Sequence, residues 1–343
     1  MRRYLPILLM ALFMVTMLLG GTIYLSGHAG KADAPSKEHM TVYTTLPVAY
    51  TSLLVQEFER IHHIDVHLIP LTEQDMMARL KSRSEKQEAD LLLTSQSALE
   101  QARLLGFLQS HATEQTDIVP DKFKDPDRYW TGIWYDPIVF AVNKEYLARS
   151  GKVPLGWDDL TRDSKARLAM TDFLAADAAA GLLFSMVMES GEPLAMSYLL
   201  KIHPRIVQYA KFLSTPVRMA GIGECDVAIA VQSETLRYRA DGFPLALIYP
   251  DGGTAYSLNG AGLVKHASHP AQAELFLDWL LQPAVQQLLE EHRFFFLSTN
   301  PDGKKYQDDR QKQVKLFDKG IYYTPDERHK LLDNWVQTVR LAR

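Results

Sequence analysis

The sequence predicts an α/β protein built as two lobes around a ligand cleft. Strand and helix patterns alternate along the chain over residues 41–105 and again over residues 157–240. Such alternation is typical of a parallel sheet with helices on its faces. Two long extended segments, 129–147 and 244–265, connect the two regions, which indicates a hinged pair of lobes.

The first region contains three strand and helix pairs. Apolar periodicity predicts strands at 41–45, 64–69 and 90–95, and helices at 50–61, from 72 onward and at 97–105. In parallel sheets, ligands bind beyond the carboxyl ends of the strands. Hydroxyl side chains at two of these strand ends are therefore candidate ligand contacts: Thr44, Thr45, Thr94 and Ser95.

The second region repeats the alternation, with strands predicted at 167–172 and 226–231 and helices at 157–165, from about 177 and at 233–240. Asp172 and Asp177 flank four residues just before the long helix. Asp177 either caps that helix or contacts a ligand. Tyr256 follows a Gly252-Gly253 turn. It either belongs to the turn for structural reasons or contacts a ligand, and the sequence leaves both interpretations open.

Composition excludes several functions. Hydrophobic residues form 47% and charged residues 23% of 343 residues, which is ordinary for a two-domain globular protein. The net charge of −4, without long runs of either sign, gives no footprint for nucleic acid. Motifs for a nucleophile, a cofactor loop or a metal site are missing from the sequence, so we expect no enzyme, no cofactor and no metal. The single cysteine, Cys225, is expected to be a buried structural thiol.

Residues 1–30 have the pattern of an export signal or a membrane anchor. Two arginines precede a long apolar run, and small residues follow it up to Ala29. Cleavage after Ala29 releases the chain, whereas an uncleaved run of near-spanning length anchors it. Residues 31–39 form a polar linker, and we expect everything after residue 40 to be soluble and outside the cytoplasm.

The order of the segments resembles a known family over roughly residues 41–338. It includes VYTTLPVAYTSLLVQEFER, YWTGIWYDPIVFAVNKEYL and, most specifically, the strand, glycine turn and closing helix at 249–287. These segments resemble the extracellular solute-binding proteins of ABC importers, in the branch of ferric-iron, phosphonate and sugar-phosphate receptors. The resemblance implies the type II periplasmic-binding-protein fold, for which we expect these parts: lobe one at 40–135, completed by about 250–300; lobe two at 136–249; and a C-terminal helical segment at 301–343.

The resemblance also implies the ligand contacts. Carried over residue by residue, they fall on Thr44, Thr45, Thr94, Ser95, Asp172, Asp177, Ser233, Glu234, Thr254 and Tyr256. Sugar-phosphate members have His-Asp where this chain has Ser233-Glu234. Asp177 stands at a helix start where the family has a hydroxyl, so it repels a simple phosphate unless a cation intervenes, and it favours an amine-bearing ligand. Iron-binding members have a tyrosine pair where this chain has only Tyr238, which disfavours ferric ion because phenolates are the ligands that Fe(III) needs.

The function implied is capture of a small polar ligand, such as a phosphonate, a sugar phosphate or a similar zwitterion, for the permease of an ABC importer. The expected location is the periplasm or the outer face of the cytoplasmic membrane. A membrane-anchored sensor that reports to a histidine kinase is the alternative, and a ferric-iron carrier is disfavoured. We expect a monomer that contacts the membrane only through its N-terminal segment. Ligand identity depends on where a few polar groups converge, which the sequence does not show.

Overall fold

The chain from His39 onward is organised around one continuous sheet that passes through two α/β halves. The computed structural model describes residues 38–82, 88–302, 314–317 and 323–342. The predicted export segment at 1–30 lies outside the described residues. Within the described ranges, no helix has both the length and the apolar character needed to cross a bilayer.

The strands of the described part, in chain order, are β1 (His39–Thr44), β2 (Asp65–Pro70), β3 (Leu91–Ser95), β4 (Leu108–Gln109), β5 (Thr131–Asn143), β6 (Leu168–Thr171), β7 (Ile206–Ala210), β8 (Val227–Val231), β9 (Leu245–Ile248), β10 (Tyr256–Val264) and β11 (Leu297–Ser298). Predicted and observed bounds agree to within about three residues for β1, β2, β3, β6 and β8.

The helices of the described part are α1 (Val48–His62), α2 (Glu73–Lys81), α3 (Gln96–Leu104), α4 (Glu114–Ile118), α5 (Lys144–Ser150), α6 (Trp157–Arg162), α7 (Asp177–Ser190), α8 (Glu192–Ile202), α9 (Ser214–Gly221), α10 (Gln232–Ala240), α11 (Pro270–Leu280), α12 (Pro283–Glu291) and α13 (Pro325–Trp335). A π-helical turn, Val336–Arg340, continues α13. The long helix predicted from about residue 177 ends at Ser190, because Gly191 has a positive φ of 86° and the next helix, α8, begins directly after it with Pro193 in its first turn.

Neighbouring strands follow the order β2-β1-β3-β10-β5-β8-β6-β7. β1 pairs in parallel with β2 and β3, and β6 pairs in parallel with β7 and β8. The antiparallel strands β10 and β5 lie between these two parallel groups. We call the β1, β2, β3 and β10 side the first half and the β6, β7 and β8 side the second half. The predicted α/β class is confirmed.

β5 belongs to both halves. Its residues 131–137 pair with β10, and residues 138–142 pair with β8. Every one of its 13 residues is buried. The two central strands approach so closely that a Cβ atom at Gly260 would lie 2.4 Å from the carbonyl oxygen of Thr131. The predicted extended crossings are thus strands of the sheet itself, and the chain changes halves along β5.

Each half has its own apolar core. Phe58, on α1, packs against Phe276 and other buried residues of the first half. In the second half, Trp335 of α13 lies fully buried against Phe173, with ring centres 4.8 Å apart. The C-terminal helix is therefore part of the second core. Cys225 is fully buried, as predicted, and burial raises the pKa of its thiol to about 12.

Candidate functional site

A cavity of about 400 Å³ lies between the two halves. Its wall includes residues within 45–50 and 95–97 from the first half and residues within 177–184 and 233–234 from the second. The central strands β5 and β10 contribute Asp136 and residues 256–259. A cavity of this size suits a metabolite-sized ligand.

Residues in the first turns of four helices line the cavity: α1, α3, α7 and α10. Pro47 precedes α1 and Ala176 precedes α7, and among the described residues no side chain forms a capping hydrogen bond at either position. The first backbone N–H groups of a helix have no partner within the helix, and the helix dipole favours negative charge there. The starts of α1 and α7 therefore offer donors to an anion from both halves.

The other two helix starts already have side-chain partners. Ser95 caps α3, since its hydroxyl oxygen accepts a hydrogen bond from the Ala98 backbone N–H at 3.3 Å. The Ser233 backbone N–H, in the first turn of α10, donates to the Asp136 carboxylate at 3.0 Å. The free donors of the cavity are thus concentrated at α1 and α7.

Of the four hydroxyl residues predicted at the strand ends, two line the cavity and two do not. Thr44 is fully buried outside the cavity wall, where its hydroxyl donates to the Leu93 carbonyl oxygen at 2.8 Å. Thr94 is also fully buried outside the wall, and its hydroxyl lies 2.5 Å from that of Thr45. Thr45 and Ser95 line the cavity. One hydroxyl of each predicted pair therefore reaches the ligand space.

Asp177 is the first residue of α7, and Ala176 occupies the N-cap position. The interpretation of Asp177 as the N-cap is therefore wrong, and its carboxylate lines the cavity instead. The Nη2 atom of Arg328, on α13, lies 2.9 Å from Asp177 Oδ1 and also lines the cavity. The guanidinium of Arg328 stands 5.1 Å from the ring centre of Phe184. Arg328 is thus a cation at the position where Asp177 alone would repel an anion.

Three further predicted residues line the cavity: Ser233, Glu234 and Tyr256. The Ser233 hydroxyl donates to Asp136 Oδ2 at 2.5 Å. Glu234 accepts a hydrogen bond from the guanidinium of Arg237, one turn further along α10. These residues place polar groups on the wall contributed by α10 and β10.

Asp172 and Thr254 lie away from the cavity. Asp172 accepts hydrogen bonds from Arg340 Nε at 3.1 Å and from the Leu174 backbone N–H at 2.9 Å. Thr254 is fully buried, and its hydroxyl donates to the Ile138 carbonyl oxygen at 2.7 Å. Asp172 therefore stabilises the second half, and Thr254 stabilises the contact between the segment before β10 and strand β5.

Asp136 is the main cavity residue that sequence reasoning missed. It is 5% exposed, and burial raises the pKa of its carboxyl group to about 7, although hydrogen bonds from Ser233 lower it. The negative charge of Glu234 raises it further. The sequence could have pointed to Asp136, because it is a carboxylate within an otherwise apolar and aromatic strand. A charge in such a strand needs a structural or functional partner.

Aromatic side chains form the apolar part of the wall. The ring of Tyr50 meets those of Phe294 and Phe296 edge-on, with ring centres 5.4 Å and 5.2 Å away. Tyr238, the position compared with the iron ligands, lies outside the wall and packs against Phe243. Among the described residues, no group of three or more His, Cys, Asp or Glu side chains is arranged to hold a metal ion.

Residues 42–294 match the family model of the bacterial extracellular solute-binding proteins. The chain belongs to this family. It is therefore a solute-binding protein of an ABC importer, and its partners are a small-molecule ligand and the importer's permease. The family confirms the predicted location outside the cytoplasm and the predicted class of function.

Several relatives of this solute-binding protein span nearly its whole length. An uncharacterized protein of Haemophilus influenzae is 26% identical over 330 residues, which cover 93% of this chain and 95% of that protein. The periplasmic binding protein AfuA of Actinobacillus pleuropneumoniae, solved with fructose-6-phosphate, is 26% identical with a TM-score of 0.70 and covers 90% of this chain and 100% of its own.

Iron-bound HitA of Pseudomonas aeruginosa has a TM-score of 0.68 at 16% identity, and the match covers 88% of this chain and 98% of that one. At this identity the similarity shows the fold alone. Together with AfuA, it confirms the predicted type II periplasmic-binding fold for this solute-binding protein.

Proposed function

We propose that this solute-binding protein captures a small solute with a phosphate or phosphonate group and delivers it to its ABC permease. One observation carries the proposal: the uncapped starts of α1 and α7, from opposite halves, line the same cavity. A tetrahedral oxyanion can accept hydrogen bonds from both helix starts at once and is stabilised by both dipoles.

The surrounding side chains support this choice of ligand. Arg328 supplies a guanidinium, which matches the geometry of phosphate oxygens. Thr45 and Ser95 add hydroxyl groups that hydrogen-bond either an anion or a polyol. AfuA, which is 26% identical, was solved with a sugar phosphate, and this supports the same ligand class here.

The cavity is less suited to ferric ion, although a 22% identical relative is the iron uptake protein A1 of Synechocystis. Iron(III) prefers phenolate oxygens. Burial raises the pKa of Tyr50 well above its usual range, which makes its phenolate costly to form. Tyr256 is the other tyrosine of the wall among the described residues.

We further propose that the protein binds its ligand without chemical turnover and acts as a monomer, since a single chain supplies both walls of the cavity. The alternative role, a sensor that reports to a histidine kinase, would use the same ligand site. Uptake of radiolabelled ligand by intact cells separates the two roles, because deletion of the gene abolishes uptake only if the protein serves an importer.

A thermal-shift screen tests the ligand class. We expect sugar phosphates or phosphonates to raise the melting temperature of the protein, because a ligand that binds only the folded state stabilises it by mass action. Unphosphorylated sugars, amino acids and Fe(III) serve as controls. A rise in melting temperature with Fe(III) or an unphosphorylated compound alone would refute the proposal.

A further inference from the structure

Asp136 is a buried carboxyl group on the cavity wall at the point where β5 passes between the halves. Its Cα partner across the sheet is Ser257 of β10, which also lines the cavity. Its two oxygens accept hydrogen bonds from the Ser233 backbone N–H at 3.0 Å and the Ser233 hydroxyl at 2.5 Å. The Gln232 backbone also donates to this carboxylate, and since a carboxylate has about four acceptor positions, acceptor capacity is left unused.

The carboxylates of the wall differ in their partners. Asp177 pairs with Arg328, and Glu234 pairs with Arg237. Among the described residues, no Lys, Arg or His nitrogen forms an ion pair with Asp136 within 4.0 Å. Asp136 is therefore the wall carboxylate whose countercharge is still missing.

Glu234 of α10 increases this deficit, because it places a second negative charge close to Asp136. Burial, and then the charge of Glu234, raise the pKa of Asp136 to about 7, although hydrogen bonds from Ser233 and the Gln232 backbone lower it. A cation in the cavity would favour the ionised form and offset the cost of the buried charge.

We propose that Asp136 binds a protonated amine of the ligand, so that this protein selects phosphate or phosphonate compounds that also carry an amino group. The inference rests on the proposed function for the anionic group and adds the recognition of the second group. An ammonium donates up to three hydrogen bonds, and its bonds to a carboxylate are charge-assisted. The ligand class is thus zwitterionic: an amino sugar phosphate or an aminoalkylphosphonate.

A structural role for Asp136 predicts a different result. Its carboxylate accepts the Ser233 N–H and so also caps α10. If capping were its whole role, removing the charge would change folding stability and leave ligand preference as it was.

Calorimetric titration with two matched probe pairs separates these roles. The pairs are glucosamine 6-phosphate with glucose 6-phosphate, and 2-aminoethylphosphonate with ethylphosphonate. We expect the wild-type protein to bind the amine member of a pair roughly tenfold or more tightly, as hydrogen bonds between charged groups allow. In Asp136→Asn, which keeps the shape and most hydrogen bonds, the preference should fall to about onefold. Asp251→Asn, at an exposed carboxylate outside the cavity, should keep it.

An amine preference that persists in Asp136→Asn would overturn the inference, and so would equal binding of both members of each pair by the wild-type protein. A lowered melting temperature with an unchanged preference would leave Asp136 as a cap and likewise overturn it. Native mass spectrometry of the protein purified from its own envelope gives a readout independent of the probes. A co-purified solute with an amine but no phosphorus supports the amine site and refutes the proposed anion. A phosphorylated solute without an amine supports the proposed anion and refutes the amine site.

Discussion

Single residues of the cavity wall differ in how far their polar atoms are committed to the fold. The Thr44 hydroxyl acts both as donor and as acceptor within the fold. It donates to the Leu93 carbonyl oxygen and accepts from the Leu46 backbone N–H at 3.1 Å. Thr45 contacts only Thr94 among the hydrogen bonds of the described residues and borders the cavity. Of these two adjacent residues of the same type, one is therefore committed to the fold and the other borders the cavity.

A matched pair of variants tests this division. Thr44→Val leaves a buried carbonyl oxygen and a buried N–H unpaired, and it should lower the free energy of unfolding by about 1 to 3 kcal/mol with little change in ligand affinity. Thr45→Val should weaken binding of the phosphorylated ligand by roughly fivefold or more and change stability less. Denaturant unfolding and calorimetric titration of both variants measure the two effects. Equal losses of affinity would contradict the separation.

Asp136 gives a prediction for pH. Its folded-state pKa of about 7 lies above the ordinary value of 3.8, so the folded protein keeps the proton to higher pH than the unfolded chain. This group's contribution to the stability of the ligand-free protein is therefore greatest below about pH 4 and is lost as pH rises through 7, by at most about 4 kcal/mol. Urea unfolding at pH 5 and pH 8 should show a smaller pH difference for Asp136→Asn than for wild type. An identical difference in both proteins would refute the raised pKa.

At the level of elements, the site is an assembly of helix starts placed at the ends of strands. α1 follows β1, and α10 follows β8, through short connections that bring each helix start to the same edge of the sheet. α13 adds a component from the end of the chain. Its buried Trp335 fixes it in the second core, and about two turns before that residue its Arg328 reaches the cavity wall.

The position of Arg328 at the end of the chain leads to a testable prediction about ligand affinity. Arg328→Gln removes the guanidinium and leaves Asp177 facing the ligand's anion, so affinity for a phosphorylated ligand should fall about tenfold or more. Adding Asp177→Asn should restore part of the loss, because it removes the unpaired charge. Arg340→Gln is the control, since Arg340 pairs with Asp172 away from the cavity. Calorimetric titration that finds Arg328→Gln and Arg340→Gln alike would argue against an anion at α7.

The whole molecule joins its two halves through buried strands, and both halves contribute to one cavity. β5 is buried along its entire length and pairs with strands of each half. A ligand that contacts both walls would stabilise the folded arrangement relative to the unfolded chain.

Ligand at 100 times its dissociation constant should therefore raise the free energy of unfolding by about 2.7 kcal/mol, provided that it binds only the folded state. Urea unfolding with and without ligand measures this increase, and the dissociation constant comes from calorimetry. An increase well below this value would show that the ligand also binds partly unfolded forms, in which one half suffices. At a fixed ligand concentration, Thr45→Val should reduce the increase by RT times the logarithm of the affinity ratio, about 1 kcal/mol for a fivefold weaker affinity.

The α/β class and most strand and helix positions could be predicted from the sequence, because apolar periodicity and capping are local properties of the chain. The family followed from the order of the segments. The sequence also predicted ligand contacts at the strand ends, where Thr45 and Ser95 line the cavity. The elements α8, β7 and α9 were not predicted, because the apolar pattern from residue 177 onward resembles one long helix, which Gly191 interrupts.

Which of the predicted side chains border the cavity depends on the tertiary structure. Thr44 and Thr45 are equivalent in sequence terms, and strand pairing with β3 directs one of them to Leu93 and the other to the cavity. Arg328 meets Asp177 across 151 positions of the chain, and Asp136 meets Ser233 across 97. Contacts at such separations depend on how distant elements pack, and local periodicity carries no information about that packing.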